Sequence, residues 1–532
     1  MGILDDFRSK DFMGQMQILG EIEKSGNKEA IPQLLELHAA PLNDDSIAFM
    51  IQKTLRAFLS QNEDQTVQGL SSDSMPVKKL CVQIAGENKF PSAGMALMRM
   101  ADDEKNSGIL LEILTAISEI KNLDVSEFFK KHIHHKNSLI SALSIKMLGE
   151  HTDADSIGTL CDIVNEGEAD DSFENCSIAE YKAIEALGSS KTEKALAFLC
   201  TKVHHRNASA RRIIHGELVK SGPAIIPFLT DHFEKYDDDM KVMTADVLGR
   251  MGDKTAVDIL VAAINKGYAK HHNVRQSIYE ALGQIPSPEG ADCLLEGLQT
   301  EDELLLLLVV TSLNIQNNPA ISKKIKNLVD KNNQQSEKLI KAIVKSNSLA
   351  IFEALYKETK IADRMIDCIT RLNDPEVISE FYVKLVAIGG ERAEADAEKI
   401  EYSTIQETTK NILAIDDSRP MLLYYRSVAA DMGIDIITAA NGKKGLEIIT
   451  KTKELDLLLT DMNMPEMDGI ELTRQIRDIP ELKEVPVIMV TTESDKSQER
   501  QAVNAGVNCV VMKPFTANTL QTKIKKLINT SK

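Results

Sequence analysis

Five residues in the last quarter of the chain are of the types that phosphoryl chemistry uses. Asp416 and Asp417 follow the apolar run NILAI, and Asp461 follows LDLLLT. Thr491 follows VPVIMV, and Lys513 follows NCVVM immediately before Pro514. Three carboxylates brought to one rim repel each other, and a hard divalent cation relieves that repulsion. Mg²⁺ favours oxygen ligands and completes its shell with water and phosphate oxygens. A carboxylate can attack a phosphoryl group to form an acyl phosphate. The metal and an ammonium then offset charge on the equatorial phosphoryl oxygens. Plainer roles compete: Asp461 as a solvated loop acid, and Asp416 and Asp417 as helix caps, a role for which Ser418 is also placed. Thr492 is a rival to Thr491, with register favouring Thr491.

These residues need a frame that brings them to one edge. NILAI, IDIITA, LDLLLT, VPVIMV and NCVVMK are short runs rich in Ile, Val and Leu, separated by segments of helical pattern. Five such strands alternating with helices predict a parallel sheet covered on both faces. Ligand chemistry in such sheets lies at the carboxyl ends of the strands, where the five residues fall.

With ILAIDDS (412–418), LTDMNMPEMDG (459–469), IMVTTES (488–494) and AGVNCVVMKPF (505–515) in this order, residues 411–532 resemble a response-regulator receiver domain of the chemotaxis type. The resemblance implies a doubly wound, flavodoxin-like fold and assigns roles. Asp461 would accept the phosphoryl group, Thr491 would hydrogen-bond it and Lys513 would pair with it. Asp416, Asp417, Asp461 and the backbone carbonyl of Asn463 would bind Mg²⁺. Pro465 and Gly469 would shape the loop after Asp461, and Lys513–Pro514 would be a cis peptide. Asn463 and Glu493 would set the lifetime of the phosphoryl group. The aromatic residue that receivers often carry three positions before the lysine is Val510 here.

Upstream, the period is different. An apolar helix end, a short polar turn with Gly and a second helix recur in MLGEHTDADSIGTLCDIV, ALGSSKTEKALAFLCTKV, VLGRMGDKTAVDILVAAI and ALGQIPSPEGADCLLEGL. The helix-end residues Leu148, Leu187, Leu218, Leu248 and Leu282 follow one another at a helix-pair period. Gly222 and Gly252 stand where a helix must stop and reverse. Such pairs bury their apolar faces only by stacking on neighbours. They resemble HEAT repeats, in particular the bilin-lyase-like variety. The expected organisation is an α-helical solenoid over 1–388, a charged linker over 389–410 and a receiver over 411–532.

Composition agrees with a folded multidomain chain: 532 residues, 43% hydrophobic and 27% charged. Aromatic residues are only 4% and Trp is absent, which disfavours propellers and sandwiches. The net charge of -18 argues against nucleic acid or an anionic membrane surface as partner. Residues 411–532 are nearly neutral, with 16 Lys and Arg against 17 Asp and Glu, so the negative charge lies on the helical part. Seven dispersed cysteines without a C-x-x-C predict neither a disulfide framework nor a zinc site. The histidines of KKHIHHK (130–136), His204–His205 and His271–His272 lack ligand spacing and read as surface or satisfied polar positions. The apolar run Leu304–Val310 is too short to span a bilayer and reads as a buried helix.

The expectation is a cytoplasmic, phosphorylation-controlled adaptor. A histidine kinase would phosphorylate Asp461, and the acidic solenoid would hold a protein ligand, with no nucleic acid and no membrane insertion. Its switching face would be residues 494–529. Apart from Mg²⁺-dependent self-phosphorylation and autodephosphorylation it would not be an enzyme. A phosphate sink localised by its solenoid and a non-switching scaffold are the alternatives, with a bilin-lyase-like enzyme a remote one.

Overall fold

The computed structural model describes residues 4, 6–40, 44–121, 123–169, 176–372, 374–401, 411–452, 455–492 and 496–530. The chain forms two compact units, residues 1–163 with 178–186, and residues 164–177 with 187–532.

The first unit is helical. Its helices approach closely where glycine removes a side chain. Gly86 in α1 (Met75–Glu87) faces Ala116 in α2 (Ser107–Glu119), and a Cβ added at Gly86 would lie 2.7 Å from the Ala116 Cα. Gly149 faces Ala186 in the same way. KKHIHHK is tied into this unit's surface, Lys130 to Glu127 and Asp155, and Lys131 to Asp102.

The second unit begins with a stack of helices that includes α3 (Ala208–Ser221), α4 (Asp238–Met251), α5 (His272–Gln284) and α6 (Glu303–Ile315). Polar caps start them. The side chains of Asn207, Asp237 and Asp302 accept hydrogen bonds from the amides of Ala210, Met240 and Leu305, satisfying donors that the first helical turn leaves orphaned. Gly222 and Gly252 end α3 and α4 with φ of 72° and 71°, the left-handed region where glycine is favoured. Leu187, Leu218, Leu248 and Leu282 are completely buried. The glycine after Leu248 lets α4 meet α5: a Cβ on Gly249 would stand 2.8 Å from the Ala281 Cα.

Further helices follow, among them α7 (Pro375–Ile388) and α8 (Glu391–Glu401). The charged tract after residue 388 is therefore helical as far as Glu401. Ala393, Ala397 and Ile400 are buried, and Arg392 and Lys399 pair with Asp363 and Asp367. The remainder of that tract, 402–410, lies outside the described residues.

Residues 411–530 form the α/β layer. Its elements are β1 (Asn411–Ile415), α9 (Arg419–Ala430), β2 (Asp435–Ala439), α10 (Gly442–Ile449), β3 (Leu457–Asp461), α11 (Gly469–Arg477), β4 (Val487–Thr491), α12 (Lys496–Asn504), β5 (Cys509–Met512) and α13 (Ala517–Thr530). The sheet is parallel throughout, in the order β2-β1-β3-β4-β5. Alternate residues feed two cores, as the pleat requires. Ile412, Ala414, Leu457, Leu459, Ile488 and Val490 face one side, with Met421, Val428, Leu520 and Ile524 from the helices. Leu413, Ile415, Leu458, Val487 and Met489 face the other, with Ile470, Ile476 and Ala502.

The helical stack and the sheet share these cores. Leu304 and Leu307 of α6 join the first, and Ala208 of α3 joins the second. This accounts for the run Leu304–Val310, every residue of which is buried. A helix apolar on all sides needs apolar cover on all sides. Among the described residues no helix is long and apolar enough to cross a membrane.

Two glycines separate close packing from mere helix propensity. Gly249→Ala should lower stability by about 1–3 kcal/mol, because its Cβ has no room against Ala281. Gly216→Ala in α3, where nothing lies within 4 Å, should instead stabilise by about 0.5–1 kcal/mol. Urea denaturation of both variants measures the opposite signs. Equal effects would mean that the glycine-mediated contact does not set the spacing of α4 and α5.

Candidate functional site

The strand order brings the acidic residues together. β1 and β3 are neighbours, so Asp416, one residue past β1, stands beside Asp461, the last residue of β3. Lys513 follows β5 and reaches back across β4. Its Nζ lies 2.8 Å from Asp461 Oδ1 and 3.4 Å from Asp416 Oδ2. All three side chains are buried, Asp461 to 6% exposure, Asp416 to 1% and Lys513 to 7%.

Local hydrogen bonds fix each group. Asp416 Oδ2 accepts the Tyr425 hydroxyl at 3.0 Å, and its Oδ1 accepts the Ser418 amide at 2.9 Å. Asp461 Oδ2 accepts the Asn463 amide at 2.7 Å. The Gly469 amide donates to the Met462 carbonyl, and a Cβ on Gly469 would collide with the Asp461 carbonyl oxygen, so only glycine fits there. The Lys513–Pro514 peptide is cis.

Burial and like charge dominate the electrostatics. Burial pushes the Asp416 carboxyl up to about 6, with Asp461 adding to the shift and Lys513 opposing it. Asp417 keeps surface open to the cleft but lies deep between two protein walls. Loss of bulk water, with Asp246, Asp416, Asp461 and Glu280 nearby, raises it well above the usual carboxylate range. Burial works against the charge on Lys513, but Asp416 and Asp461 more than offset it, so its pKa is raised.

Thr491, at the end of β4, is buried, and its hydroxyl lies 3.7 Å from the Met462 sulfur. Its neighbour Thr492 lines the cleft. Val510 is half-buried against the second core. Glu493 lies outside the described residues.

Sequence reasoning did not anticipate a second wall. The cleft is also lined by Asp246 and Glu280, from α4 and α5 of the helical stack. Glu280 accepts the Ser418 hydroxyl and is pushed up to about 7 by burial, with Asp416 adding and Lys513 opposing. Arg211 of α3 donates to the Asn463 side-chain oxygen at 2.7 Å. Asn273 of α5 donates to the Lys513 carbonyl at 2.8 Å. Within the expected switching face, about 494–529, Lys513 accepts from Asn273 and Gln498 donates to the Arg206 carbonyl. Further contacts of the stack fall on the loop after Asp461 and on α9.

Among the described residues no three His, Cys, Asp or Glu side chains are arranged to hold a metal ion. The donor chemistry suits a hard cation, since carboxylates gathered at one rim repel each other and gain by sharing one.

Comparison with known proteins follows this division. The response regulator receiver domain family matches residues 412–525, and HEAT repeats match 226–314. A chemotaxis protein CheY homolog of Campylobacter jejuni is 36% identical over 120 residues, which are 22% of this chain and 92% of that protein. Chemotaxis protein CheY of Pseudomonas aeruginosa is 40% identical over 117 residues, 22% of this chain and 94% of that protein. Among solved structures, the chemotaxis response regulator CheY4 of Vibrio cholerae is 29% identical, covers 23% of this chain and 99% of its own, and has a TM-score of 0.22. The sheet carrying Asp416, Asp461 and Lys513 therefore makes this chain a member of the response regulator receiver family, with HEAT repeats preceding the receiver.

Proposed function

We propose that the protein is a two-component response regulator in which Asp461 accepts a phosphoryl group from a histidine kinase. The state of the receiver then controls what the HEAT-repeat stack binds. The observation that supports this most directly is the Lys513 ammonium, buried 2.8 Å from Asp461 Oδ1 at the carboxyl ends of the strands. A buried ammonium beside the attacking carboxylate can pair with the phosphoryl oxygens once the acyl phosphate forms.

In this reading an Asp461 carboxylate oxygen attacks phosphorus in line with the leaving group. Lys513 then pairs with the phosphoryl oxygens and Thr491 hydrogen-bonds one of them. Asp416, Asp417, Asp461 and the Asn463 carbonyl would hold Mg²⁺, which supplies positive charge at the phosphoryl oxygens. The similarity to chemotaxis proteins makes a motility pathway the natural setting, and the acidic stack favours a basic protein ligand.

Incubation with acetyl phosphate and Mg²⁺, followed by intact mass at short times, should show one phosphoryl adduct. Asp461→Asn and EDTA should each abolish it. An adduct of equal size in Asp461→Asn would place the acceptor elsewhere.

The raised carboxyl groups give a pH signature. Asp416 and Glu280 bind protons more tightly in the fold than in the unfolded chain, where carboxyls titrate near 4. Their contribution to stability is fully present below about pH 4 and is lost as pH rises through about 6–7. In EDTA the urea midpoint should therefore fall between pH 5 and pH 8, and Glu280→Gln should flatten that fall by about 1–3 kcal/mol. Mg²⁺ should restore more stability at pH 8 than at pH 5. An equal effect of Mg²⁺ at both values would contradict a carboxylate-bound cation.

A further inference from the structure

The strand-end rim is capped by the helical stack, and the cap is a built polar surface. Arg211 is a guanidinium at 1% exposure. It donates to the His205 carbonyl at 2.7 Å on its own side and to the Asn463 side chain at 2.7 Å across the seam. Arg212 donates to the Glu466 carbonyl at 2.8 Å and to Glu471 at 3.1 Å. Ser209 donates to Asp468 at 3.2 Å, and Asn273 to the Lys513 carbonyl. At the far end of the interface, Arg426 of α9 forms a buried pair with Asp374 at 2.9 Å and also meets Glu376.

What the cap leaves beside Asp461 is a cleft with the stack as one wall: Asp246 and Glu280 line it together with Asp416, Asp417 and Asp461. A protein donor must bring a folded surface to the rim that α3, α4 and α5 occupy, whereas a small acyl phosphate needs only the cleft itself. Asp417 remains exposed to the cleft, which marks a way in for small molecules.

We infer that the HEAT-repeat rim made by α3, α4 and α5 selects the phosphoryl donor of Asp461. Small acyl phosphates reach Asp461 with the rim closed, and a protein-borne phosphohistidine reaches it only when Arg212, Asn273 and Arg426 let go. The inference rests on the phosphoacceptor reading of Asp461 and adds a donor class to it. The chemistry is the same for both donors. One Asp461 carboxylate oxygen bonds to phosphorus as the bond to the leaving group breaks. Acetate leaves from acetyl phosphate. From phosphohistidine the imidazole leaves, taking a proton from water at the nitrogen that is freed.

The test uses the full chain, wild type and Arg212→Glu/Arg426→Glu, which places like charges against Glu471 and Asp374 at both ends of the seam. Each is given Mg²⁺ with either acetyl phosphate or a panel of phosphorylated histidine-phosphotransfer domains from chemotaxis-type kinases. The adduct is followed by intact mass. Acetyl phosphate should label both chains at rates within about threefold, which also reports that the variant is folded. At least one protein donor should label the variant about tenfold or more faster than wild type, because the competent fraction sets the apparent rate. Asn273→Ala, which removes only the bond to the Lys513 carbonyl, should move in the same direction by less. If every protein donor labels wild type and the variant alike, or none labels the variant faster, the rim does not select the donor. If acetyl phosphate labels neither chain, the phosphoacceptor reading itself falls.

Discussion

A single buried ammonium holds the site together. Asp416 and Asp461 lie side by side because β1 and β3 are adjacent, and without a counter-charge two buried carboxylates at that spacing could not both stay ionised. Lys513 meets that constraint from a distance. It leaves β5, two strands and roughly 10 Å from β3 at the usual strand spacing, so its reach across Thr491 requires a long unbranched side chain. The sheet order, the small residue on α11 at Gly469 and the buried course of β3 and β4 all serve to bring one ammonium to two carboxylates.

The second constraint is shared burial. Leu304 and Leu307 of α6 contribute to the same core as Met421 and Tyr424 of α9. The HEAT-repeat stack and the receiver are therefore not beads on a tether over this surface. Separating them would expose apolar area as well as the polar seam. Burying a leucine contributes about 1.5–3 kcal/mol, so the apolar contact holds the two layers together while the polar contacts fix where the rim falls over Asp461.

Two paths of hydrogen bonds join the stack to the site. Arg211 binds the Asn463 side chain, and Asn463 donates its amide to Asp461. Asn273 binds the carbonyl of Lys513 itself. A change of charge at Asp461 is thus two bonds away from the stack on each side. Whatever free energy that change imposes on docking, docking must impose on the change. The carboxylates of Asp246 and Glu280, which belong to the stack, line the same cleft as Asp461.

Much of the site was legible in the sequence because its residues sit at ends of short apolar runs, and a parallel sheet gathers such ends on one edge. The repeats were legible through period: Leu248-Gly249 and Leu282-Gly283 mark buried helix ends and close approaches. The seam was not legible, and the reason is physical. Arg211-Arg212, Asn273 and Arg426 are ordinary surface residue types on ordinary amphipathic helices. What distinguishes them is only the partner that chain folding places opposite, about 250 residues away for Arg211 and Asn463. One signal pointed to it. The seven residues Leu304–Val310 are apolar on every side of a helix, which a stack open to solvent on one face has no use for. That excess of apolar surface is the mark a covering domain leaves on the sequence. It identifies which helix is covered but carries no information about which rim does the covering, because the apolar contact is non-directional and the hydrogen bonds that orient it are not.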